Sequence, residues 1–117
     1  MKIQTKTVGD GYKVLHQYHY HSNRYKRDII IPKGFYSDGA TDAIDINSDA
    51  WIVHDYICRY GIWYGGEKIC NFQASMIVYD ILKEEGHDIR KYAWFLATFL
   101  FGGGQARRNG MFSCKKI

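Results

Sequence analysis

The chain has 117 residues, 46% of them hydrophobic and 24% charged, an ordinary globular balance that excludes a disordered linker protein. At this length one domain covering residues 1–117 is expected, and a 16% aromatic content offsets the small size because each large ring buries much apolar area. Sixteen Lys and Arg against twelve Asp and Glu leave a net charge of +4, which permits a nucleic-acid or acidic partner without demanding one.

Strands are expected within residues 1–46. Val14, His16, Tyr18 and Tyr20 alternate with Leu15, Gln17, His19 and His21, a period of two. Ser22, Asn23 and Arg24 are turn formers, and residues 25–31 end in the β-branched Ile29, Ile30 and Ile31, so a hairpin is the economical reading. Pro32 suits the second position of a turn closed by Gly34, and Phe35 opens another short extended piece. Helices are expected within residues 47–101. The first covers residues 49–60, with Asn47 or Ser48 as N-cap and Gly61 as its stop. A second covers residues 67–85 with Gly86 just beyond its end, and a third covers residues 89–101 behind an Asp88 cap. The basic, glycine-rich residues 102–117 read as an irregular tail. The fold class is therefore α+β, a small N-terminal antiparallel sheet packed against about three helices.

Residues 92–101 (YAWFLATFLF) form the longest apolar run, about half of the roughly 20 residues a membrane-crossing helix needs, so no membrane span is expected and the run reads as a core helix. The polar opening residues give no reason to propose a signal peptide, and a cytoplasmic location follows as the expectation. Cys58, Cys70 and Cys114 are odd in number and include no C-x-x-C pair, which argues against a disulfide framework and against a zinc knuckle.

The most informative polar feature is His54-Asp55. Neighbours on a helix diverge by about 100°, and His54 shares its face with Trp51, Ile57 and Cys58, so its imidazole should be substantially buried. A core histidine bonded to one carbonyl, with Asp55 paired to Arg59 one turn on, is the plain structural account. Upstream, Asp38, Asp42 and Asp45 lie close together with Thr41 among them, in a loop that lacks the glycine and glutamate positions of an EF-hand. Asn71 puts an amide on the stripe Asn71, Ala74, Val78 and Ile81. It either staples its helix to the loop of residues 35–47 or positions a ligand beside His54. No nucleophile elbow and no P-loop are present. Arg107 and Arg108, with Lys115 and Lys116, form a basic stretch that either touches nucleic acid or is simply solvated.

The run Ile31-Pro32-Lys33-Gly34-Phe35-Tyr36-Ser37-Asp38-Gly39-Ala40-Thr41, then His54-Asp55-Tyr56, then a helix bearing Asn71, resembles an uncharacterised family of small tailed-bacteriophage proteins, a domain of unknown function. The family pattern is approximately P-x-G-F-x-[TS]-D-x-A-[ST], H-D-x-x-Y and A-D-x-x-F. Asn71 stands where the family usually has aspartate, and Asp42-Ala43 replaces its common proline. The resemblance implies a phage gene product with Asp38, Thr41, His54 and Asp55 clustered. Such a set suits a divalent metal that activates water, or a histidine base oriented by an acid.

Two functions are carried forward. The first is a metal-assisted hydrolase in which Asp38 and His54 are metal ligands or acid and base, Asp38, His54 and Asp55 are the catalytic candidates, and Thr41 and Asn71 support them. The second is a non-catalytic phage accessory protein, a virion component or an inhibitor of a host or defence protein, in which the same residues form a buried polar network. Both place it in the host cytoplasm or on the virion.

Overall fold

The computed structural model describes residues 3–9, 11–37, 48–102 and 104–114. Among them run β1 (Thr5–Val8), β2 (Gly11–Val14), β3 (Tyr18–Ser22), β4 (Arg27–Ile31), β5 (Tyr36–Ser37), α1 (Ala50–Tyr60), α2 (Asn71–Glu84), α3 (Arg90–Phe101) and α4 (Gln105–Asn109), an α+β fold.

The strands form two antiparallel sheets, not one. A three-stranded sheet has the order β1-β2-β5, and β3 and β4 make a separate hairpin. The alternating run expected across residues 14–21 is interrupted because Val14 is fully engaged by the turn ahead: its amide donates to the Phe35 carbonyl (2.9 Å) and its carbonyl accepts from Gly34 (2.8 Å). Leu15, His16 and Gln17 then carry the chain from one sheet to the other. Tyr20 faces Ile29 and Ser22 faces Arg27 across the hairpin. Its turn closes through Lys26 donating to the Ser22 carbonyl (2.9 Å) and Tyr25 to the Ser22 hydroxyl (3.1 Å), with Lys26 in the left-handed region (φ 57°).

α1 begins at Ala50 with Asp49 as its N-cap, one residue past the later of the expected Asn47 and Ser48 caps. Ser48 Oγ accepts from the Ala50 amide (3.0 Å), and Gly61 ends the helix in the left-handed region, its amide on the Ile57 carbonyl (2.7 Å). The end of α2 reinforces that start. Glu85 accepts from the Ser48 hydroxyl (2.5 Å) and from the Asp49 amide (3.1 Å), a carboxylate at a helix N-terminus. α2 begins four residues later than expected, at Asn71 after the Cys70 N-cap, because residues 61–69 fold back on themselves: Ile62 bridges Lys68 and the Ile69 amide donates to the Gly61 carbonyl (2.8 Å). α3 is preceded by Ile89, not by an Asp88 cap; the Asp88 carboxylate instead lies 3.7 Å from the Lys91 ammonium. The tail expected to be irregular contains α4.

α2 packs against both α1 and α3, and α4 packs against α1 and α2. The core between them holds Ile29 and Ile31 of β4, Val53 and Ile57 of α1, Ile77, Val78 and Leu82 of α2, and Trp63 and Ile69 from the connecting loop. α3 contradicts its reading as a core helix. Only Lys91 and Thr98 of its twelve residues are buried. Its stretch of rings packs on one side against Trp51, Phe72 and Tyr79 through Trp94 and Phe95, and Trp51 meets Trp94 edge-on at 4.8 Å.

Candidate functional site

His54 lies on the side of α1 that faces the end of α3. A Cβ added to Gly102 would sit 3.4 Å from His54 Cε1, so the glycine backbone closes over the imidazole. Burial pushes the His54 pKa from 6.5 down to about 4, because an imidazolium there would lose its hydration. The ring is neutral at neutral pH. The partner the structure gives it is Cys58 one turn later, whose Sγ lies 3.6 Å from Nδ1 and 3.7 Å from Nε2. This contact does not make an activated thiolate, since the burial that keeps the imidazole neutral also disfavours the thiolate–imidazolium pair such chemistry needs.

Asp55 points to the other side of α1. Its expected pairing with Arg59 is a loose one, 4.0 Å between Oδ2 and the guanidinium, since Arg59 also donates to the Tyr36 carbonyl (3.0 Å) and lies over the Phe35 ring at 5.0 Å. Arg59 thus ties α1 to β5. Asp38 and Thr41 lie outside the described residues, as does most of the acidic loop.

Asn71 is buried, and Nδ2 donates to the Phe99 carbonyl in α3 (2.8 Å), so Asn71 staples α2 to α3; most of the loop of residues 35–47, its expected partner, lies outside the described residues. Arg107 works on the same turn. Its guanidinium donates to the carbonyls of Gly102 (2.6 Å), Leu100 (2.8 Å) and Phe99 (3.2 Å), groups that the end of a helix leaves without internal partners. Arg108 is exposed.

A residue that sequence reasoning passed over completes this corner. Asn109 is buried in α4 and donates through Nδ2 to the carbonyls of Gly61 (2.9 Å) and Ile69 (3.0 Å), closing both ends of the 61–69 loop. No periodic pattern marks it, and a glycine-rich basic stretch hides it.

Among the described residues no group of three or more His, Cys, Asp or Glu side chains is arranged to hold a metal ion. On the exposed face of the hairpin, His19 Nε2 (2.8 Å) and His21 Nδ1 (2.7 Å) both lie against one oxygen of Asp28. Nor is any described helix long and apolar enough to cross a membrane. Comparison of the chain with family models, with curated proteins and with solved structures finds no match.

The outer surface of α3 is the most unusual part of the molecule. Ile89, Tyr92, Leu96 and Leu100 follow one another at intervals of three and four and fall within an arc of roughly 80°. Ile89 is 85% exposed and Phe101 84%; Tyr92, Leu96, Leu100 and the nearby Phe112 are each more than half exposed. No charged residue lies between Tyr92 and Phe101. Phe112 extends the surface by packing against Phe99 at 5.4 Å.

Proposed function

We propose that this chain is a non-catalytic accessory protein that assembles through the outer face of α3, with a second copy of itself as the occupant. The observation that carries the reading is the uncharged, exposed apolar stripe on a helix whose opposite side is already packed. The four stripe side chains and Phe112, each more than half exposed, offer on the order of 600 Å² of apolar surface, approaching the roughly 800 Å² one partner contributes to a standard interface. Two copies related by a two-fold axis perpendicular to α3 would lay it antiparallel to its mate, and the lack of charge along the stripe lets the same patch cover itself without burying an unpaired ion. The motif resemblance to small tailed-phage proteins supports an accessory or virion role of this kind. The half-buried His54 has Cys58 as its partner and, among the described residues, no carboxylate bonded to it to orient it as a base, which favours a structural polar contact.

Analytical ultracentrifugation of the wild type and of Leu96→Glu tests the proposal. The wild type is expected to sediment as a concentration-dependent dimer and Leu96→Glu as a monomer with the same circular dichroism. A wild type that stays monomeric across the concentration range, or a variant that associates equally well, overturns it.

A further inference from the structure

Cys70 and Cys114, far apart in the chain, both lie at the start of α2. Cys70 is buried as its N-cap, with its amide donating to Gln73 Oε1 (3.1 Å) and its thiol to the Phe112 carbonyl (3.3 Å). Cys114 is half-buried; its thiol donates to the Lys68 carbonyl (3.2 Å) and lies 3.9 Å from the same Gln73 oxygen. Gln73 Oε1 thus accepts from the Cys70 amide and lies beside the Cys114 thiol, and the Cys70 thiol donates to the carbonyl two residues before Cys114, so the two side chains share one corner with no disulfide between them. The chain between α4 and Cys114 already serves the helix. The Asn71 amide donates to the Gly110 carbonyl and the Phe72 amide to the Met111 carbonyl, each at 2.8 Å, so residues 110–111 satisfy the first free donors of α2.

We propose that Cys70 and Cys114 form an oxidisable dithiol whose disulfide fastens the 110–114 segment onto the start of α2. The oxidant is a hydroperoxide, with hydrogen peroxide as its simplest form. Cys114, the more exposed of the two, attacks as the thiolate: an S–O bond forms, the O–O bond breaks, and hydroxide leaves as water after taking up a proton. Cys70, deprotonated in turn, attacks the resulting sulfenic sulfur; the S–S bond forms, the S–O bond breaks, and a second hydroxide leaves as water. The two thiols together lose two electrons and two protons, and the peroxide is reduced to two waters. Burial and the neighbouring Cys70 hold the Cys114 thiol above its ordinary pKa, so the first step quickens as the solution is made more alkaline. Neither sulfur belongs to the α3 stripe, although Phe112, whose carbonyl accepts from the Cys70 thiol, borders it.

The full chain is treated with hydrogen peroxide in mildly alkaline buffer, unfolded, and assayed for free thiols, with peptide mapping under non-reducing conditions. The expected product loses two of its three thiols, joins the Cys70 and Cys114 peptides within one chain, and leaves Cys58 free. Cys70→Ser keeps an N-cap side chain able to bond the helix and is expected to fold and retain both remaining thiols under the same treatment. A bridge to Cys58, a bridge between chains, three surviving thiols, or Cys114 carried to the sulfinic acid without a bridge would each overturn the proposal.

Discussion

Acidification should weaken this protein through one residue, His54, before its carboxylates protonate. The folded pKa of about 4 lies below the unfolded value of 6.5, so protonation favours the unfolded chain. The stability tied to the neutral imidazole is complete above about pH 6.5 and is lost as pH falls toward about 4. Linkage between the two values gives a loss of about 1 kcal/mol by pH 6, about 2 kcal/mol by pH 5 and about 3 kcal/mol near pH 4. For a domain with a total stability on the order of 5 to 15 kcal/mol that is a large fraction. The assay is urea unfolding followed by the fluorescence of Trp51, Trp63 and Trp94 for wild type and His54→Gln between about pH 8 and pH 4.5. Glutamine carries no titratable group, and every other titration is common to the two proteins. The difference in unfolding free energy should therefore be flat above about pH 7.5 and move toward the variant by about 2 kcal/mol at about pH 5, whatever the absolute stability of the variant. Parallel curves through this window would refute the desolvation that depresses the His54 pKa.

Two further substitutions probe the corner where α2, α3 and α4 meet. Asn71→Asp installs the residue that the phage-family pattern carries, yet here it would set a carboxylate oxygen against the Phe99 carbonyl in place of an amide donor. The expected cost at neutral pH is about 2 to 4 kcal/mol, partly recovered as the acid protonates and regains a donor; thermal melts at about pH 7 and about pH 4.5, each referenced to wild type, check this. Gly104→Ala places a methyl group on the Cys58 carbonyl oxygen at a left-handed φ of 80°, and should lower the melting temperature by more than the same change at Gly65, which has a positive φ and no atom within reach. Equal effects at the two glycines would mean that α4 does not press on α1.

The local rules were sufficient where both the cause and the effect are close in sequence. Gly61 ends α1 and Gly86, at φ 89°, follows α2 as their positions suggest, and the stripe Asn71, Ala74, Val78 and Ile81 is buried throughout. Other features were hidden because their partners are distant. The start of α2 depends on carbonyls at Gly110 and Met111, the start of α1 depends on Glu85, and α4 depends on Arg107 reaching the carbonyls that end α3. None of these pairings leaves a periodic trace. The candidate site divides in the same way: His54 is only half-buried, its side toward Cys58 follows from helical spacing, and the approach of Gly102 comes from the far end of another helix.

The misreading of α3 has a physical lesson of its own. A run of apolar residues reports that water is an unfavourable neighbour on every side, but a helix at the edge of a small domain has only one side to bury. The inward side of α3 is filled by Trp94 and Phe95, with Thr98 bonding back to the carbonyls of Trp94 (2.7 Å) and Phe95 (3.1 Å) so that its hydroxyl carries no desolvation penalty. A monomer under no other constraint would place Lys or Glu at the positions of Leu96 and Leu100, because exposed helix positions accept charge at little cost to helix propensity. Hydrophobic side chains at these positions, more than half exposed, therefore add nothing to the folding of the isolated chain that a charged residue would not match. In the proposed assembly their contribution comes from a contact made after folding, and for that reason Leu96→Glu should abolish association while leaving the fold intact.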